Sequence, residues 1–361
     1  MVKLQEQILN PNKSQKLNSN LSQNFVKSYQ MTWVYGRFNI LFVVFAFAEN
    51  SINNITVMIK QVLRWLLVGG TLFFLASALK NNWEEVAAIR IDGVGWAILA
   101  TATGVTLLAH IWAGWVWTWI LKDFNQSTSS VRLIQAYLKT NIAKYLPGNV
   151  GHYIGRIMAA KDLRVSTSAA TISVLLEPLL MAAAALIIVL LCSQFTLNDS
   201  SILLLIGQIL GLIVALCLLH PLFLNPVIRL VHRLKNKKSK TGSFSNISLS
   251  LTRYPSISLL GELGFLMLRA SGFILTLYAI SSINFSQLPL IVGAFSFAWM
   301  LGLVIPGAPG GLGVFEATII GLLQQFFPIA LIISASVLYR LISIVAEAVA
   351  ASLAWFDERL L

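Results

Sequence analysis

From about residue 62 onward the chain alternates long apolar segments with shorter polar stretches. Seven such segments stand out: Val62–Leu79, Val94–Ile120, Ala169–Leu191, Ile202–Phe223, Ile257–Ile280, Leu288–Ile305 and Phe327–Trp355. Crossing the hydrocarbon core of a bilayer takes roughly 20 helical residues, so each segment is long enough to span. A helix satisfies its own backbone hydrogen bonds in lipid, whereas an open strand does not. The pattern therefore predicts an all-α fold, a polytopic transmembrane helix bundle. Arg64, at the inner end of the first segment, is placed to snorkel its charge to the interface.

The region before these segments has a different texture. Residues 1 to about 30 are rich in Asn, Gln, Ser and Lys, a composition that predicts disorder. Ile40–Ala48 is apolar but too short to span. Its end, Ala46-Phe47-Ala48-Glu49, mimics a signal-peptidase site, yet far too much chain precedes it for a typical signal. Met58-Ile59-Lys60 leads directly into the first span. Residues 1–57 are read as a disordered or dispensable extension, and 58–361 as one transmembrane domain.

Composition supports the same picture. Apolar residues make up 57% of the chain and charged residues 11%, where soluble domains carry about 25% charge. The net charge of +12 would ordinarily raise nucleic acid as a partner. Here the cations cluster between spans, so they are topology signals and no nucleic-acid partner is expected. Lys122, Arg132, Lys139, Lys144, Arg156, Lys161 and Arg164 lie between the second and third spans. Arg229, Arg233, Lys235, Lys237, Lys238, Lys240 and Arg253 lie between the fourth and fifth. The alternate loops carry few charges, with Glu84, Glu85 and Asp92 in one and Asp199 in another. The positive-inside rule places the basic stretches and the N-terminus in the cytoplasm of a multi-pass protein of the cell membrane. His232–Lys240 either fixes topology alone or also holds anionic lipid headgroups. Cys192 and Cys217 lie inside apolar runs, so neither a disulfide framework nor a metal site is indicated, and no cofactor is expected.

Two stretches interrupt the apolar pattern and resemble each other. Pro147-Gly148-Asn149-Val150-Gly151 and Pro309-Gly310-Gly311-Leu312-Gly313 share Pro-Gly-x-x-Gly, and apolar residues flank both. Proline removes a donor and glycine permits positive φ, so a helix does not continue cheaply through either. Broken backbone at membrane depth is tolerated where it is buried in protein or lines a watery cavity. Transporters pair interrupted helices from internal repeats in this way. The pattern predicts two re-entrant Pro-Gly segments in an internal repeat; the alternative is two ordinary cytoplasmic turns. A helix starting near Glu316 would point its N–H groups toward an anion, with a phosphate as a plausible guest.

Charges also fall inside the spans: Glu177 beside Pro178, Glu262 and Arg269, Arg340 and Glu347. Each costs about 2.5–3.5 kcal/mol to insert, so partners or water are required. Glu262 and Arg269, like Arg340 and Glu347, are seven apart on one helix face, roughly 10 Å, too far to pair within a helix. Glu262 and Glu347 serve either as interhelical glue or as part of a site.

These residues resemble the membrane region of the lysylphosphatidylglycerol synthetases, a functionally mixed family of flippase-like integral membrane proteins. Lys144-Tyr145-Leu146-Pro147-Gly148 with Arg156 and Glu177 is similar to its first signature. Pro309-Gly310-Gly311-Leu312-Gly313 with Glu316 and Arg340 is similar to its second. The likeness covers about Lys60 to Trp355. It implies a flippase-like domain that moves a polar or anionic lipid, such as an aminoacylated phospholipid or a lipid-linked sugar, between leaflets. In the bifunctional members aminoacyl transfer belongs to a separate soluble domain, so the resemblance implies no synthesis here. The expected substrate-binding residues are Lys144, Gly148, Gly151, His152, Arg156 and Glu177 in the first half. Pro309, Gly310, Gly311, Gly313, Glu316 and Arg340 are their counterparts in the second. Membrane lipids are the expected partners, with a lipid-synthesising enzyme as a further one.

Two other functions remain open at this point. A transferase acting on a lipid-linked donor would need a base or a metal-binding carboxylate pair, for which His152 is the best single candidate. An accessory scaffold subunit of a lipid synthetase would need none of the buried charges. Sign order in the two halves is reversed, Arg156 then Glu177 against Glu316 then Arg340. Facing repeats would then pair Arg156 with Glu316 and Glu177 with Arg340.

Cysteine labelling in intact cells checks the topology: Lys238→Cys should react from the cytoplasm and Asp199→Cys from the opposite side. Reaction of both from one side contradicts the charge asymmetry.

Overall fold

The computed structural model describes residues 80, 83–145, 151–196, 202–226, 228–229, 251, 253–305 and 311–360. All of these belong to the compact unit Arg64–Leu361. The expected span Val62–Leu79, the 1–57 extension and the basic stretch His232–Lys240 lie outside the described residues, as do Pro147, Gly148, Pro309 and Gly310.

Among the described residues the regular structure is helical throughout. The helices are α1 (Trp83–Ala88), α2 (Gly93–Asp123), α3 (Ser130–Asn141), α4 (Gly151–Asp162), α5 (Thr167–Thr196), α6 (Ile202–Leu219), α7 (Ser256–Tyr278), α8 (Leu288–Val304), α9 (Val314–Leu323) and α10 (Ile329–Leu360). Short 3-10 turns, Ile142–Tyr145 and Phe285–Gln287, follow α3 and precede α8. Five helices, α2, α5, α7, α8 and α10, are long and apolar enough to cross a membrane. They coincide with five of the spans expected from hydrophobicity, and α6 falls on a sixth. Helix α2 starts where Asp92 accepts a hydrogen bond from the Gly95 N–H at 2.6 Å, satisfying one of the orphan donors of the first turn.

The stretch read from sequence as one basic loop, Lys122 to Arg164, is instead mostly helical. Leu133, Ala136 and Tyr137 recur at i, i+3 and i+4 and are buried, while Arg132 on the other face of α3 is exposed. That periodicity makes α3 an amphipathic helix packed on the bundle. Helices α4 and α9, of 12 and 10 residues, reach only about 18 and 15 Å at 1.5 Å per residue. Neither crosses a hydrocarbon core of about 30 Å.

Polarity is arranged inside out. Leu210, Ile213 and Val214 on α6, Leu260 and Met267 on α7, and Leu341 and Val345 on α10 are exposed. Glu177, Glu262, Arg269 and Glu347 are buried. Water would penalise such an exterior, whereas lipid tails accept it.

Helix packing relies on small residues, because apolar side chains gain little from leaving lipid for protein. A Cβ on Gly261 would sit 2.6 Å from the Val116 side chain and 2.8 Å from the Trp119 ring. The glycine lets α2 and α7 approach closely, and Trp112 donates its indole N–H to the Gly261 carbonyl at 2.8 Å. Helix α5 brings Ala183, Ala184 and Ala185 into the core. The principal pairings are α2 on α7, α5 on α8 and α2 on α10, followed by α8 on α9, α3 on α10 and α2 on α3, with α4 against α5 and α9 against α10.

Candidate functional site

Three groups of buried polar side chains converge on one cavity. The first is built by α3, α4 and α5. A short turn connects α4 to α5 and makes them neighbours, with Arg164 in the left-handed region at φ 64°. Arg156, 3% exposed, forms an ion pair with Glu177 across this hairpin. Tyr137 donates its hydroxyl to Glu177 Oε1 at 2.8 Å, and Arg156 Nη2 donates to Asn141 Oδ1 at 3.3 Å. The guanidinium lies 3.7 Å from the centre of the Tyr137 ring, a cation–π contact. Pro178 follows Glu177 within α5, removing one helical N–H donor beside the carboxylate.

The second group is built by α9 and α10. Gly311 and Gly313 have φ of 72° and 82°, a region L-residues with side chains rarely adopt. They turn the chain into α9, whose first-turn Glu316 accepts the Gly313 N–H at 2.7 Å. The other carboxylate oxygen of Glu316 accepts from Arg340 Nη2 at 2.6 Å and Nε at 3.1 Å. Glu316 therefore caps its own helix and anchors Arg340 at once.

The third group links the two parts of the chain. Lys144, in the turn after α3, pairs with Glu347 of α10. His110 Nε2 of α2 is 3.3 Å from Glu347 Oε1 and 3.2 Å from Arg269 Nη1 of α7. Arg269 Nη2 donates to Ser343 Oγ at 3.1 Å, and Tyr339 donates its hydroxyl to the Arg269 carbonyl at 3.0 Å. The Arg269 guanidinium lies 4.6 Å from the Trp299 ring centre and 5.1 Å from that of Tyr339.

The cavity between these groups has a volume of about 140 Å³. Of the residues expected from sequence, Lys144, His152, Arg156, Glu177, Gly311 and Arg340 line it. Glu316 holds Arg340 from outside the lining, and Gly313 and Gly151 do not line the cavity; a Cβ on Gly151 would fall 2.8 Å from the Ala143 carbonyl. Arg269 and Glu347, noted from sequence as charges inside the spans, also line the cavity, as do His110, Tyr137 and Asn141, which were not singled out. Tyr137 and Asn141 sit on the apolar stripe of α3, and that periodicity is the signal that finds them. Glu262 is fully buried and does not line the cavity; among the described residues its oxygens have no hydrogen-bond partner.

The expected pairing of Arg156 with Glu316 and of Glu177 with Arg340 is wrong. Both ion pairs close locally, Arg156–Glu177 and Glu316–Arg340. The physical reason is the short connection between each short helix and the long one that follows. It folds the two back on each other and brings their charges together before any distant segment competes. Among the described residues Lys144–Glu347 is instead an ion pair that joins the two parts of the chain.

His152 lies outside the five long helices and is 8% exposed. Burial, then the charges of Arg156 and Lys144, push its pKa down to about 3. Both causes disfavour the protonated ring, and a lowered pKa weakens the imidazole as a general base.

An all-helical bundle with five candidate membrane spans around a buried, ionically lined cavity defines an integral membrane protein. Residues 61–351 match the lysylphosphatidylglycerol synthase TM region. The chain belongs to that family. No curated protein matches it.

Charge swaps check the pairing. Arg156→Glu or Glu177→Arg alone should each destabilise the purified protein by about 3–5 kcal/mol, because each leaves a buried charge unpaired. The double swap should regain part of that in thermal unfolding. Recovery by Arg156→Glu with Glu316→Arg, and not by the local double swap, would contradict the observed arrangement.

Proposed function

We propose that the protein moves a polar or anionic lipid between the two leaflets, with the headgroup passing through the ionic cavity while the acyl chains stay in the bilayer. The observation that carries this reading is the cavity itself. Three ion pairs, involving Lys144, Arg156, Arg340 and their carboxylates, are held at one place within apolar helices. Structural glue alone is a poor reason for so many, since apolar replacements of buried pairs are often neutral or stabilising. Intramembrane ionisable groups lining a cavity are more often substrate pathways.

The helix pairings are consistent with the same reading. Let α2, α3, α4 and α5 exchange with α7, α8, α9 and α10. The packing of α5 on α8 then becomes that of α10 on α3. The pairs α4–α5 and α3–α4 become α9–α10 and α8–α9, and α2–α7 maps onto itself. Two halves whose contacts exchange in this way, with a short helix after each Pro-Gly stretch, fit the manner in which transporters build a central site from two interrupted segments. On this reading α4 and α9 are the ordered parts of two re-entrant segments. The basic stretches face the cytoplasm by the positive-inside rule. The family assignment concerns a lipid-handling membrane region and favours lipid over a water-soluble solute.

Purified protein in liposomes containing a fluorescent phosphatidylglycerol tests the proposal. Dithionite quenching should reveal exchange of the inner-leaflet label at least tenfold faster than in empty liposomes. Arg340→Gln should lower that rate at least tenfold with insertion unchanged. Exchange no faster than in empty liposomes contradicts the proposal.

A further inference from the structure

Glu347 stands where three groups would each hold an anion. Its Oε1 meets the Lys144 ammonium and lies 3.3 Å from His110 Nε2. Arg269 is one contact further, with Nη1 3.2 Å from the same ring nitrogen. These groups come from α2, the turn after α3, α7 and α10, so the carboxylate sits at a junction of four pieces of chain. Glu347 is 3% exposed, and among the described residues its Oε2 has no hydrogen-bond partner.

Two features distinguish this junction from a finished structural ion pair. The first is His110 Nε2, which faces a carboxylate oxygen and a guanidinium nitrogen together. A ring nitrogen offers either one N–H or one lone pair. As an acceptor from Arg269 it turns its lone pair toward Glu347; as a donor to Glu347 it turns its N–H toward Arg269. No protonation state of the ring satisfies both contacts. The second feature is Arg269, 2% exposed, which makes no ion pair among the described residues. Its Nη2 is satisfied by Ser343 and its faces by two aromatic rings, but among the described residues no carboxylate is in direct contact with it. A buried guanidinium without a counter-anion is costly to maintain and calls for one.

We propose that Glu347 is a built-in stand-in for the phosphate ester of the transported lipid: the phosphate enters the cavity, takes Lys144, His110 and Arg269, and drives the Glu347 carboxylate off. The proposal rests on the lipid-translocation reading and names the chemistry its site recognises. A phosphodiester carries a single negative charge, as a carboxylate does, so it can replace Glu347 at Lys144, and with the displaced carboxylate still in the cavity the added charge neutralises Arg269. It differs in shape. Its tetrahedral oxygens reach Lys144 and Arg269 together, and the guanidinium presents a planar fork suited to them. The conflict at His110 is also relieved. The ring donates its N–H to one phosphate oxygen while Arg269 turns its own N–H groups to another. The displaced carboxylate remains in the cavity, where it accepts from a hydroxyl or ammonium of the headgroup. Binding of substrate and release of the Lys144–Glu347 tie thus become one event.

Calorimetric titration of the full-length chain in maltoside micelles tests this, with short-chain phosphatidylglycerol, glycerol 1-phosphate and inorganic phosphate as probes. Short-chain phosphatidylglycerol should bind Glu347→Gln at least tenfold more tightly than the unsubstituted protein, because the internal competitor is gone. Arg269→Gln should bind it at least tenfold more weakly. Glu347→Asp keeps the charge but withdraws the carboxylate by one methylene, and should show intermediate tightening. It carries the test if the Gln variant does not fold. Unchanged or weaker binding in the folded Glu347 variants overturns the proposal. Glycerol 1-phosphate and inorganic phosphate should bind at least tenfold more weakly than the lipid; equal affinity would overturn the lipid as the source of the phosphate. Lipid exchange in liposomes without the tightening sinks the stand-in and leaves translocation standing. Tightening in a protein that exchanges no lipid supports the phosphate site and sinks translocation.

Discussion

A charge held among apolar helices has to meet an opposite charge, a dense set of donors or water, because neither lipid nor packed side chains solvate it. The organisation of this protein follows from that constraint. Arg156 and Glu177, Glu316 and Arg340, and Lys144 and Glu347 each meet within the bundle. The helices that carry them are therefore committed to particular neighbours. Aromatic faces complete the solvation: Tyr137 under Arg156, Trp299 and Tyr339 around Arg269. The outer surface has no such obligation and is left to Leu, Ile and Val.

The three ion pairs divide the work. Two are local and fasten a short helix to the long helix after it, α4 to α5 and α9 to α10. They fix the shape of the backbone beside each Pro-Gly stretch and hold a guanidinium at the cavity wall. The third joins distant parts of the chain and is the one whose making and breaking can change how those parts meet. Lys144 precedes the first Pro-Gly stretch, and Glu347 lies seven residues, about two turns, beyond Arg340 on α10. On the proposed reading, separation of this pair would open the cavity while both local hairpins stay closed.

Much of this was legible in the chain. Uninterrupted apolar length identified α2, α5, α7, α8 and α10 as spans, because lipid imposes the same demand on every residue of a crossing helix. The seven-residue spacings of Glu262 with Arg269 and of Arg340 with Glu347 ruled out pairing within a helix, and those charges do meet partners on other elements or none. Lys144, Arg156, Glu177 and Arg340 were singled out and line the cavity. The partners were harder to read. Sign order suggested pairing across the halves, but proximity is decided by connection length. The 21 residues from Arg156 to Glu177 hold two helical arms and a short turn, which is the arithmetic of a hairpin. Helix α3 was hidden because its charges, Arg132 and Lys139, matched those of a basic loop, and its apolar stripe is short. His110 and Arg269 are 159 residues apart, and no local pattern predicts that contact.

The claim on which the account stands is that Lys144 and Glu347 separate when a headgroup crosses. Lys144→Cys with Glu347→Cys, in a chain whose Cys192 and Cys217 are replaced by Ala, allows the two positions to be bridged by a short cleavable bis-thiosulfonate reagent. A monofunctional thiosulfonate of similar size controls for bulk in the cavity. Bridged protein in liposomes should exchange labelled lipid no faster than empty liposomes, and cleavage of the bridge should restore the rate of the unbridged double variant. Undiminished exchange with the bridge intact would contradict the account.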